Sequence, residues 1–140
     1  MNGYPPVQGF DLATARRRRI LIVEDHPLNM KLLRDLLAAH GYETLETGDG
    51  LEALNLARQF RPDLILMDLQ LPDVSGLEVT RWLRREPGTQ DIPIVAVTAF
   101  AMREDEKKAL DSGCDAYIAK PISIRQVLEI VTTFLDNGTA

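Results

Sequence analysis

The chain has 140 residues, 45% of them apolar and 26% charged, with a net charge of −5, which fits one ordinary soluble domain able to bury its own core. The acidic balance argues against nucleic acid as a partner, because phosphate binding needs a clustered basic face. A single cysteine, Cys114, excludes an intrachain disulfide and suits a reducing cytoplasm, and no apolar run approaches the ~20 residues of a membrane helix.

Residues 1–18 carry Gly3, Pro5, Pro6 and Gly9 without periodicity and read as a disordered tail that holds no signal peptide. The run Arg16 to Arg19 reads as a solvated lead into the first strand, Ile20–Val23. Pro27 opens a helix to about His40, with Leu32, Leu33, Leu36 and Leu37 at helical spacing and Gly41 as its stop. Tyr42–Thr47 is a second strand, Leu51–Phe60 a second helix and Leu64–Met67 a third strand. Ser75 and Glu78 have capping-box spacing and start a helix to about Arg85. Ile92–Val97 is a fourth strand, about Arg103–Ser112 a helix closed by Gly113, and Ala116–Ala119 a fifth strand. Ser123 caps a last helix with Ile124, Val127, Leu128, Val131 and Leu135 on one face. Five successive βα units with apolar strands imply an α/β fold, a doubly wound parallel sheet covered on both faces.

Such sheets bind ligands at the carboxyl ends of their strands. Those ends carry Glu24-Asp25, Asp68, Thr98 and Lys120-Pro121, so three carboxylates, a hydroxyl and an ammonium converge from four segments. Two like charges ~4 Å apart at an effective dielectric of ~20 repel by about 4 kcal/mol. The cluster therefore needs a cation, and Mg²⁺, a hard ion that keeps several waters, suits carboxylates shared with a phosphate. Lys120 and Thr98 would contact phosphoryl oxygens, and Asp68, at the end of the central strand, is the natural nucleophile.

With these segments in place, residues 19–136 resemble the response-regulator receiver domains of two-component systems, leaving 137–140 as a short C-terminal tail. The resemblance rests on Leu21-Ile22-Val23-Glu24-Asp25, on Asp63 through Gly76, on Val97-Thr98-Ala99, and on Ala116 through Pro121. It implies a flavodoxin-like five-stranded sheet of order 2-1-3-4-5, phosphorylation of Asp68 by a histidine kinase, and Mg²⁺ (with Mn²⁺ as a substitute) on Asp25, Asp68 and the Gln70 main-chain carbonyl. Glu24 would act through a metal-bound water, Thr98 and Tyr117 would be coupled switch residues, and the Lys120–Pro121 bond would be cis. Gln70 and Phe100 would border the water that removes the phosphoryl group, and neither is a good base. The segments Leu28–Leu32, Val74–Leu83 and Val95–Met102 further resemble stand-alone members of the family that regulate cell-cycle histidine kinases. The implied protein is a cytoplasmic relay rather than an enzyme acting on other substrates. It would bind its kinase or phosphatase and downstream regulators through the fourth helix, fifth strand and fifth helix, with no output domain and no membrane insertion.

Other chemistries fit less of the chain. Gly48-Asp49-Gly50-Leu51-Glu52-Ala53 matches the G-x-G-x-x-A dinucleotide pattern, but follows the second strand and leaves Glu24, Asp25, Thr98 and Lys120 without a role. A haloacid-dehalogenase-type phosphatase needs a second aspartate two residues past the nucleophile, where Gln70 stands. A flavin carrier needs a hydroxyl-rich phosphate loop where Glu24-Asp25 lies. His26 reads as a loop residue, His40 as a helix-end residue, Cys114 as packing and Trp82 as a helix-face contact.

Overall fold

The computed structural model describes residues 17–99 and 102–137. The tail expected over residues 1–18 falls outside that range except for Arg17 and Arg18, and Phe100 and residues 138–140 also lie outside it. The elements alternate strictly: β1 (Arg19–Val23), α1 (Pro27–Ala39), β2 (Glu43–Thr47), α2 (Gly50–Phe60), β3 (Leu64–Asp68), α3 (Gly76–Arg85), β4 (Ile94–Thr98), α4 (Arg103–Ser112), β5 (Ala116–Ala119) and α5 (Ile124–Thr132). All strands are parallel, in the order β2-β1-β3-β4-β5.

Each central strand sends alternate residues to opposite faces, and both faces are covered. Ile20, Ile22, Leu64, Leu66, Val95 and Val97 meet Leu33 and Leu37 of α1 and Val127 and Val131 of α5. Leu21, Val23, Ile65, Met67, Ile94 and Ala96 meet α2, α3 and α4 through Ala53, Ala57, Val79, Leu83 and Ala109. Every one of these side chains is essentially buried, and each large aliphatic one contributes roughly 1.5–3 kcal/mol. The edge strand β2 departs from that pattern: Glu43 and Glu46 point to solvent and pair with Arg19 and Arg34, charges that discourage edge-to-edge pairing.

Helix ends follow local chemistry. Gly41 (φ 88°) and Gly113 (φ 114°) take the left-handed conformation that lets the following N–H groups fold back onto the last carbonyls of α1 and α4. Ser75 caps α3 through the N–H of Leu77, while the Glu78 carboxylate turns to Arg81 instead of completing the expected capping box. Strand β4 begins at Ile94 rather than Ile92, because Ile92 donates to Thr89 in a turn and Pro93 has no N–H to give the ladder. Helix α5 gives way to a turn of π-helix at Thr133–Asn137, next to the Thr132 and Thr133 hydroxyls that bond back to Leu128 and Glu129 carbonyls. That turn still buries Leu135, whereas Ile124, expected on the same buried face, is 48% exposed and Leu128 half-buried.

Candidate functional site

The carboxyl ends of β1, β3, β4 and β5 lie side by side, and the residues following them build one cluster. Carboxylate oxygens of Glu24, Asp25 and Asp68 all lie within 4.8 Å of one another. Asp68, the last residue of β3, is buried; its Oδ1 accepts the Gln70 N–H at 2.9 Å and its Oδ2 accepts from Lys120 Nζ at 3.1 Å. Lys120 also stands 3.1 Å from Glu24 Oε1 and donates to Oε2 at 3.3 Å, and the His26 N–H donates to Oε2 at 3.0 Å. Glu24 is 3% exposed, and its Oε1 has no hydrogen-bond partner among the described residues, the Lys120 contact being an ion pair without donor geometry. Asp25 is exposed at the rim and opens the cluster to solvent.

The electrostatics follow from that layout. Burial raises the Glu24 carboxyl above its ordinary value, and the neighbouring Asp68 charge adds to the rise against the pull of His26 N–H and Lys120. Burial alone would lower the Lys120 ammonium, but its bonds to Asp68 and Glu24 outweigh that and raise it. One ammonium faces three carboxylates, so the site is short of positive charge. Hard oxygen donors, close spacing, an unpartnered buried oxygen and an open rim fit a divalent cation that keeps several waters.

Thr98 is fully buried at the end of β4, and its carbonyl accepts the Lys120 N–H at 2.8 Å. The Lys120–Pro121 peptide is cis. Tyr117, on β5, is half-buried against the α2–α3–α4 side of the core. Its hydroxyl is buried without a hydrogen-bond partner among the described residues, and burial, then Asp105 and Glu106, raises its pKa. Gln70 is exposed, and its main chain, through the N–H to Asp68, is what belongs to the cluster. Phe100 lies outside the described residues.

Two glycines make room for the site. A Cβ at Gly76 would fall 2.4 Å from the Asp68 carbonyl oxygen, and one at Gly48 would fall 3.1 Å from the Asp25 Cα. The dinucleotide-like turn is thus backbone packing. Its helix N-terminus is also occupied, since the N–H groups of Gly50 and Leu51, which a pyrophosphate would need, are held by Asp73 at 2.8 and 2.9 Å. The sequence assigns Asp73 no role; only its position in a Pro-containing turn marks it.

The sequence profile of the response regulator receiver domain matches residues 20–132. The chain is 58% identical over 121 residues to the polar-differentiation response regulator DivK of Brucella anthropi, covering 86% of this chain and 98% of that one, and 57% identical over the same span to DivK of Brucella ovis. Among solved structures it is similar to the receiver domain of a Pseudomonas aeruginosa sensor histidine kinase with magnesium in its active-site cleft, at TM-score 0.79 and 34% identity over 85% of this chain and 98% of that one. It is also similar to the chemotaxis protein CheY4 of Vibrio cholerae, at TM-score 0.81 and 25% identity over 86% and 100%.

Proposed function

Because this chain belongs to the response regulator receiver family, we propose that it accepts a phosphoryl group from a histidine kinase on Asp68 and signals by phosphorylation-dependent contact with other proteins. The observation that carries this reading is the Asp68 carboxylate, aimed by the Gln70 N–H on one oxygen and by Lys120 on the other, at the solvent-facing end of the central strand. A carboxylate oxygen attacks the phosphorus of a phosphohistidine; the P–O bond forms as the P–N bond breaks, and the imidazole leaves with that electron pair. Lys120 then neutralises a phosphoryl oxygen, and the Thr98 hydroxyl donates a hydrogen bond to another. Asp25, Asp68 and the Gln70 carbonyl would hold Mg²⁺, or Mn²⁺ in its place, with Glu24 acting through a water. The ion would supply the charge that offsets three carboxylates and the phosphoryl oxygens.

The chain catalyses only its own phosphorylation and dephosphorylation. The buried Tyr117 hydroxyl, without a hydrogen-bond partner among the described residues, costs roughly 1–3 kcal/mol, which a ring that turns when Thr98 moves to the phosphate would recover. The output face is then α4, β5 and α5, open to a kinase or phosphatase and to downstream regulators. Similarity to polar-differentiation regulators supports a role in cell-cycle and cell-division control. No helix among the described residues is long and apolar enough to cross a membrane, in keeping with action in the cytoplasm.

Incubation with a small phosphodonor and Mg²⁺ should add one phosphate, read by intact mass. Labelling of Asp68→Asn to the wild-type extent would defeat the assignment. NMR shifts on phosphorylation should reach α4, β5 and α5; shifts confined to α2 and α3 would exclude that output face.

A further inference from the structure

We propose that Asp73 is a positioning residue for the cation site, holding the loop that carries Gln70 by docking it on the N-terminus of α2. The inference rests on the reading that Asp68 and Gln70 bind a divalent cation.

A helix leaves its first N–H groups without intrahelical partners. The residue placed to cap α2, Asp49, makes no side-chain capping bond to it. Asp73 does so from the loop after β3, with Oδ1 on the Gly50 N–H at 2.8 Å and Oδ2 on the Leu51 N–H at 2.9 Å. Both oxygens are used, so the carboxylate is fixed in orientation as well as position. The neighbouring Asp49 carboxyl when it carries a proton, then the Gly50 and Leu51 N–H groups, hold the Asp73 carboxyl well below the usual carboxylate range.

The contact is close on both sides. A Cβ at Gly50 would fall 2.5 Å from Val74 Cγ2 and 3.3 Å from Asp73 Oδ1, so this docking requires glycine there. At its other end the loop is closed by the Gly76 N–H on the Leu69 carbonyl at 3.1 Å, with Gly76 against the Asp68 backbone. Residues 69–75 are therefore tied at both ends, and Gln70 lies between the ties with its N–H on Asp68 Oδ1. Mg²⁺ accepts little departure from octahedral geometry. A main-chain carbonyl on an untied loop is a poorer ligand than one on a tied loop, in the way that outer partners of metal ligands set affinity.

The test is Mg²⁺ binding by calorimetry on the unphosphorylated full chain. Asp73→Ala should raise the Kd about tenfold, the lower end of the range for residues that act through a ligand. Asp73→Asn, whose carboxamide oxygen still accepts from one N–H, should fall between alanine and wild type. Amide hydrogen exchange at Gln70 without Mg²⁺ should be faster in Asp73→Ala, and Asp68 phosphorylation should return to the wild-type rate at saturating Mg²⁺. Tyr42→Phe, which removes a hydrogen bond at the amino edge of the sheet, should leave the Kd unchanged. A Kd for Asp73→Ala equal to wild type in a destabilised but folded chain would overturn the proposal, leaving Asp73 an ordinary cap. Should the alanine chain not fold, a wild-type Kd in Asp73→Asn would overturn it equally. Asp25→Asn separates the premise: wild-type Mg²⁺ affinity in that variant would remove the cation site itself.

Discussion

The two edges of the sheet are built from the same residue types and used in opposite ways. At the carboxyl edge the carboxylates of Glu24, Asp25 and Asp68 crowd together, Lys120 pairs with Glu24 and Asp68, and Glu24 Oε1 has no hydrogen bond among the described residues. At the amino edge, carboxylates and guanidinium groups meet main-chain groups with which they match. Asp63 Oδ2 accepts the Arg19 N–H that opens β1 at 2.7 Å, and Asp115 Oδ2 accepts the Ile94 N–H that opens β4 at 2.8 Å. Arg84 reaches from α3 to four acceptors: the Gly113, Gln90 and Ile92 carbonyls and Asp115, at 2.7 to 2.9 Å. One edge spends its charges on holding strands in place, and the other, apart from the Asp73 cap, leaves three carboxylates facing one another and open to a ligand. Stability and function are thus separated along the strand axis, and a charge has opposite value at the two ends.

The sharpest way to break this contrast is to remove Arg84. Arg84→Ala leaves three carbonyls and Asp115 without their guanidinium and should lower stability by roughly 3 kcal/mol, read from the urea midpoint at constant m-value. Arg84→Lys should recover little, since one ammonium cannot span the fork. The folded fraction should still take phosphate on Asp68 at the wild-type rate. A loss under 1 kcal/mol, or a phosphorylation defect larger than the unfolded fraction explains, would mean the edges are not independent.

At the other edge the same operation should have the opposite sign. Without divalent cation, Asp25→Asn removes one of three crowded carboxylates and should leave the chain at least as stable as wild type. Mg²⁺ at about a hundred times its Kd should stabilise wild type by about 2.7 kcal/mol and the variant by far less. If Asp25→Asn is clearly destabilised without cation, the carboxyl edge is not the strained one.

What the sequence shows of this depends on what kind of group a residue binds. The strands were legible because β-branched and aliphatic runs declare themselves, and the carboxyl-edge residues because a strand end fixes where its next residue lies. Asp73 and Arg84 were not, since their partners are chiefly main-chain N–H and C=O groups, many of them distant in sequence, which no residue letter records. Ser75 shows the same limit at short range: the spacing to Glu78 promised a reciprocal cap, but Arg81 lay closer to the carboxylate. Ile124 follows the helical period of α5 and is still 48% exposed, lining an open groove with Leu28 and Leu32 of α1.

The smallest expected effect tests the amino edge through pH. Tyr42 precedes β2 and is 7% exposed, and its hydroxyl donates to Asp136 Oδ2 at 2.8 Å, which ties the start of β2 to the π-helical turn after α5. Burial, followed by the bond to Asp136, pushes its pKa up to about 12 from an ordinary value of 10.0. The folded state therefore holds this proton more tightly than the unfolded state does. Its contribution is fully present below pH about 10 and is lost as pH rises towards about 12. Tyr42→Phe should cost about 1 kcal/mol at neutral pH, the net worth of one hydrogen bond, since Asp136 is exposed and regains water. The gap between wild type and Tyr42→Phe should then narrow from pH about 10 upward, because the phenylalanine chain has no proton to lose there. Taking the difference between the two chains cancels the lysines and other tyrosines that titrate in the same window. A gap that stayed constant to pH about 12 would show that the phenol does not titrate as a buried donor. The cost of Tyr42→Phe would then be one of packing rather than of the bond to Asp136.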